Sequence, residues 1–102
     1  DFYKPFEPVE ITADYLSEFA GTYYCPELDA YYHFKVAHDT LVGWHPRHGT
    51  FKTDATANRD YFKSTGPFQT IRFIRKENGN VIGMRVSFDR VKNLWLEKQH
   101  TR

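Results

Sequence analysis

The residues best suited to chemistry stand at His45-Pro46-Arg47-His48, where two imidazoles three positions apart flank a guanidinium. Imidazole titrates near neutrality and is the commonest metal ligand, so the spacing raises a metal site with His33 or His38 as third ligand. Pro46 and the following Gly49 mark a loop instead of a helical face, and the companion ligands of a zinc site are missing. The expectation is an exposed turn that holds no metal. A loop of this kind is also where one domain reaches toward a neighbour's ligand, which makes His45, Arg47 and His48 the candidate functional loop.

No activated nucleophile stands out. Ser17, Ser64 and Ser87 lie in SEFA, STGP and SFDR, none of which is a Ser-x-x-Lys or Gly-x-Ser-x-Gly arrangement. Phosphate-binding loops and HExxH are also missing. Asp29, Asp39, Asp54, Glu77 and Asp89 sit where turns are expected, and turn preference explains them better than acid–base work. The single cysteine, Cys25, reads as a buried thiol in a strand. No catalytic residue and no cofactor is therefore assigned. Tyr23, Tyr24, Tyr31 and Tyr32 with Trp44 offer rings for stacking sugars or bases, but strand alternation must turn about half of them inward, and RNA-binding signatures are lacking.

Fourteen Lys and Arg against thirteen Asp and Glu leave a formal charge of +1, too small a field to gather nucleic acid or anionic lipid. No apolar run approaches the ~18 residues of a membrane span, and no signal peptide opens the chain. The chain begins at Asp1, which reads as a piece of a longer protein. Its 102 residues suffice for one domain that buries roughly 65% of its unfolded surface. Nine Phe, seven Tyr and two Trp favour strands over helices.

These residues must be positioned by short elements. Asp1 to Ile11, with Pro5 and Pro8, reads as a linker or lead-in, and 12–102 as one barrel domain. Thr12 can cap a helix over about 12–20 with Tyr15, Leu16 and Phe19 on one face and Gly21 at its end. Strands are expected at Thr22 to Cys25, Ala30 to Val36, Leu41 to His45, Thr50 to Asp54 and Asp60 to Lys63. Two more follow in a hairpin within Thr70 to Ser87, and the last is Val91 to Lys98. Eight antiparallel strands in sequence suit a closed up-and-down barrel or a sandwich; closure, which removes exposed edges, favours the barrel. Such a barrel is just wide enough to be filled by side chains or to hold one small ligand. The expected inward residues are Tyr32, Phe34, Val36, Leu41, Phe51, Phe62, Ile71, Phe73, Ile82, Met84, Val86, Val91 and Trp95, which argue against a small apolar ligand.

Asn78-Gly79 predicts a type I′ turn with both residues at positive φ, so that Arg75 faces Ile82, Phe73 faces Met84 and Ile71 faces Val86. With Phe88-Asp89 as the next turn, Arg72, Arg85 and Lys92 align across three strands beside Ile74, Gly83 and Leu94, then Val81 and Leu96. Like charges directly opposed are unfavourable unless something anionic covers them, and an apolar strip also calls for a cover. Either the helix lies there, with Asp14 or Glu18 near an arginine, or Arg72, Ile74, Arg85, Lys92 and Leu94 form a docking surface for another domain.

The stretches EFAGTYYCPELDAYYHFKV, LVGWHPRHGTF and FQTIRFIRKENGNVIGMRVSFDRVKNLWLEK resemble the C-terminal domain appended to β-lactamase-related serine hydrolases, a group that includes class C β-lactamases, esterases and D-aminopeptidases. The likeness runs from about Leu16 to the C-terminus and rests on Gly21-Thr22-Tyr23 with Pro26-Glu27-Leu28, and on Phe73 to Arg75 with Gly79, Gly83 and Arg90-Val91. It implies an all-β, lipocalin-like eight-stranded antiparallel barrel with one short N-terminal helix, acting as a non-catalytic accessory domain. The implied partner is the catalytic domain of the same polypeptide, which carries the Ser-x-x-Lys nucleophile and Tyr base, and the implied location is periplasmic or secreted. In such relatives a barrel loop can approach the active site, a role that would fall to His45 to His48. An independent lipocalin-like carrier of a small apolar ligand is the alternative.

Overall fold

The computed structural model describes residues 9–100. Eight antiparallel strands, each paired with its neighbour in sequence, close into a barrel when the last meets the first. They are β1 (Gly21–Cys25), β2 (Ala30–Ala37), β3 (Thr40–His45), β4 (Gly49–Ala55), β5 (Tyr61–Ser64), β6 (Thr70–Arg75), β7 (Val81–Phe88) and β8 (Val91–Lys98). The expected all-β barrel with one short helix is thus the fold. Most of the lead-in, Asp1 to Pro8, lies outside the described residues, and Val9 packs partly buried against the core.

Helix α1 (Ala13–Ser17) starts where Thr12 Oγ1 accepts the Tyr15 N–H at 3.0 Å. It stops well before Gly21, because the chain must turn Phe19 into the barrel mouth: Phe19 is fully buried and its ring lies 4.2 Å from that of Phe73. Tyr15 and Leu16 are buried with it. The helix therefore plugs one end of the barrel and does not cover Ile74 and Leu94 on the wall. Glu18 does reach an arginine, Arg75, at 2.6 Å. Gly21, at φ +144°, opens β1 in a conformation side chains resist.

From this plug a column of rings fills the axis. Phe73 meets Phe34 at 6.4 Å between centroids, Phe34 meets Phe51 at 5.8 Å, Phe51 meets Phe68 at 6.3 Å, and Phe68 meets Tyr32 at 4.8 Å. Phe68, from the β5–β6 loop, is buried at the far end. Gly43 faces the column because any side chain there would collide with the Phe51 and Phe34 rings.

Register departs from expectation at three places. Phe73↔Met84 and Ile71↔Val86 hold, but a one-residue shift after Ile74 pairs Arg75 with Val81 instead of Ile82. Val81 consequently turns inward and Ile82 is only half-buried. The turn is not type I′: only Gly79 takes positive φ (+92°), and its N–H donates to Lys76 O at 2.9 Å. That is the longer hairpin loop in which glycine takes the left-handed bulge position. Positive φ at two successive residues occurs instead at His38 (53°) and Asp39 (64°), the two-residue link between the paired Ala37 and Thr40.

The largest correction concerns β8. Its turn pairs Phe88 with Val91, and an extra residue is then absorbed before Val86↔Leu94, with Asn93 at φ +57°. A side-chain period of two means that one such insertion exchanges the faces. Leu94 and Leu96 are buried, Trp95 moves to the outside, and Val91 is exposed. Leu94 thereby leaves the expected docking surface, and Val91 and Trp95 leave the expected core.

Candidate functional site

The His45–His48 turn sits at the end of the barrel away from α1. His45 closes β3 and pairs with Gly49, whose φ of +71° lets β4 start at once. His45 Nδ1 accepts the Arg47 backbone N–H at 3.0 Å, and its ring stacks on Tyr32 with centroids 4.6 Å apart. The His48 ring lies 5.1 Å away. Burial, and then the neighbouring charges of His48, Arg47 and His33, lower the His45 pKa below 6.5. A neutral imidazole accepting at Nδ1 carries its proton at Nε2, so the loop offers one fixed N–H donor.

His45, Arg47 and His48 are thus together, but the other histidines do not join them as ligands. His33 shares a hydrogen bond of 3.0 Å between its Nδ1 and Thr22 Oγ1, and it packs beside Trp44 on the wall. His38 occupies a turn at the α1 end. Among the described residues no group of three His, Cys, Asp or Glu is placed to hold a metal. A shallow depression does run from the turn along the wall, lined by Asp29, Tyr31, His33, His45 and Pro46. The aromatic candidates divide as alternation requires: Tyr23 and Tyr32 are core residues, whereas Tyr31 and Trp44 are exposed and Tyr24 donates from its hydroxyl to Asp29 at 2.8 Å.

The serine hydroxyls serve local backbone. Ser17 donates to Asp14 O, Ser64 donates to Lys52 O and accepts from Gly66 N, and Ser87 accepts from Asn93 N across the β8 bulge. None of these bonds joins a serine to a basic side chain.

The opposite wall carries a more specific arrangement. Register places Tyr61, Arg72, Arg85 and Trp95 in one row across β5, β6, β7 and β8. Arg72 lies over the Tyr61 ring at 5.4 Å, and Arg85 over the Trp95 ring at 4.8 Å. The two guanidiniums are directly opposed, both side chains are exposed, and neither forms an ion pair among the described residues. Arg72 and Arg85 thus meet as expected. Lys92 lies in the bulge next to the row, and Ile74 is half-buried one rung away. Tyr61 and Trp95 were not assigned to this face from sequence. The available signal was Gly83, whose missing side chain leaves the space that the Trp95 ring occupies.

Comparison with known proteins yields no matching family model, no similar curated protein and no similar solved structure. No helix among the described residues is long and apolar enough to cross a membrane.

Proposed function

We propose that this chain is a non-catalytic accessory domain of a β-lactamase-like serine hydrolase, joined to the catalytic domain and packing on or shaping it. The observation that carries the proposal is the ring column from Phe19 to Phe68, which makes the barrel a packed body whose distinctive features are all external. A carrier needs an internal apolar space, and here that axis is occupied by aromatic side chains. A free-standing hydrolase needs a nucleophile beside a base, whereas the serine hydroxyls of this barrel bond to turn and strand backbone. The sequence likeness from Leu16 onward supplies the identity of the parent.

The test is the coding sequence upstream of Asp1 together with an assay of the two parts. A Ser-x-x-Lys domain should be encoded there. The isolated barrel should leave a chromogenic lactam and a p-nitrophenyl ester at the buffer rate, and removing it should lower the stability or activity of the catalytic part. An upstream region without that domain would sink the proposal. So would hydrolysis by the barrel that disappears on changing one of its residues.

A further inference from the structure

We propose that the Tyr61–Arg72–Arg85–Trp95 row is a docking face for an acidic protein surface, with carboxylates seated across the two opposed arginines. The accessory-domain reading identifies that surface as the catalytic domain's; the chemistry of the face does not depend on it. Directly opposed like charges on a sheet are destabilising by themselves. Alternative neighbours were available to the chain, because it supplies carboxylates to Arg75 on the same strand. At Arg72 and Arg85 it supplies aromatic rings instead. A guanidinium lying on a ring keeps its planar fork of donors for an oxyanion, and a carboxylate fits that fork in bidentate fashion.

The residue types favour a protein over a nucleic acid. Arg, Tyr and Trp are the types that dominate the energetics of protein–protein interfaces. The row's rings are already covered by guanidiniums, so they are not open platforms for bases, and the net charge of +1 gives no polyanion track. Half-buried Ile74 beside the row provides the apolar contact a protein interface uses.

The test is an NMR titration of the 102-residue chain at low salt with hexaglutamate, with hexaglutamine as neutral control and inorganic phosphate as a second anion. Hexaglutamate should shift the Arg72 and Arg85 Nε–H signals and the Trp95 indole N–H while leaving Arg75 unmoved; hexaglutamine should shift none. The Arg72→Gln/Arg85→Gln variant should bind hexaglutamate at least about tenfold more weakly. If that variant loses its dispersed spectrum, Arg85→Lys serves, keeping the charge but losing the fork, and should bind more weakly than the parent. Unchanged affinity in the variants overturns the proposal, and so does a phosphate response as large as that to hexaglutamate. The two readings fail separately. No Ser-x-x-Lys domain upstream removes the accessory role and leaves this titration standing, whereas a catalytic domain that binds the double variant as tightly as the parent refutes the docking face alone.

Discussion

Arg72 and Arg75 stand three residues apart on β6, carry the same group and meet opposite surroundings. Arg75 is enclosed. Its Nε and Nη2 donate to the two Asp60 oxygens at 2.9 Å each, and its Nη1 donates to Glu18 at 2.6 Å and to Gly79 O at 2.7 Å. Burial alone would lower its pKa; the hydrogen bonds and charges of Asp60 and Glu18 reverse that and hold it above its ordinary value. The guanidinium also lies 5.3 Å over the Phe19 ring, so one side chain joins α1, the β4–β5 loop and the β6–β7 turn at the plugged end. Arg72, with Arg85, has no such carboxylate. One guanidinium has its anions inside the domain and belongs to the fold, while the other two are held on rings and remain available to something outside it.

The sharpest way to break this comparison is to remove Arg75. Arg75→Gln leaves the Asp60 carboxylate, only 17% exposed, without its partner. Loss of a partly buried, hydrogen-bonded pair should cost about 2–3 kcal/mol, or roughly 10–20 °C in melting temperature for a domain of this size. Thermal and urea denaturation measure it. Glu18→Gln should cost within about 0.5 kcal/mol, because that carboxylate is 45% exposed and solvent does much of the same work. Equal losses for the two variants would mean that the plug, not the Asp60 pair, is what Arg75 secures.

Gly83 tests the opposite side of the comparison, since its bare Cα underlies Trp95. A methyl group there would meet the Trp95 ring and the Leu96 carbonyl oxygen, which is backbone and cannot swing aside. Gly83→Ala should therefore destabilise the barrel by about 1–3 kcal/mol and shift tryptophan emission as the indole leaves Arg85. Lost stability with unchanged emission would show that β8 yields and the row survives.

How far these arrangements are legible in sequence depends on what encodes them. Alternation over Thr70 to Ser87 sets the facing of Phe73, Met84, Ile71 and Val86, because the buried face tolerates no odd slip. Arg72 opposite Arg85 follows from the same count. The outer row beyond them does not, since KNLWLEK is compatible with either Trp95 or the pair Leu94 and Leu96 inside. Asn93 decides between them by adopting positive φ, which asparagine does at little cost and without any pattern to announce it. The helix presents the same difficulty. Tyr15, Leu16 and Phe19 reveal that it has an apolar face, but they do not say whether that face meets a barrel wall or a barrel mouth. At the His45 loop the turn was readable from Pro46 and Gly49. The contact with Tyr32 was not, because it depends on where β2 ends relative to β3.

Removing both exposed arginines should affect folding little, in contrast to Arg75. Arg72→Gln with Arg85→Gln loses two exposed cation–π contacts, each of order 0.5–1 kcal/mol, and relieves a direct like-charge pair of similar size. Stability by urea denaturation should change by less than about 0.5 kcal/mol. A loss as large as that of Arg75→Gln would make the row structural and end its claim to be held in readiness for a partner.

The smallest effect belongs to His45, which lies away from all three arginines and gives an internal control for electrostatics at the other barrel end. Its pKa is lowered in the folded protein below the ordinary 6.5, so between the folded value and 6.5 the unfolded chain binds more protons. Stability must then rise with pH through that window and fall as pH drops below 6.5. His45→Gln should remove this contribution, leaving a flatter melting profile between pH 7.5 and 5.5, and NMR titration of the His45 ring should give a midpoint below that of an unstructured histidine. A midpoint at or above 6.5 would mean that Tyr32 and the Arg47 N–H do not favour the neutral ring, and the loop's fixed Nε2 donor would go with it.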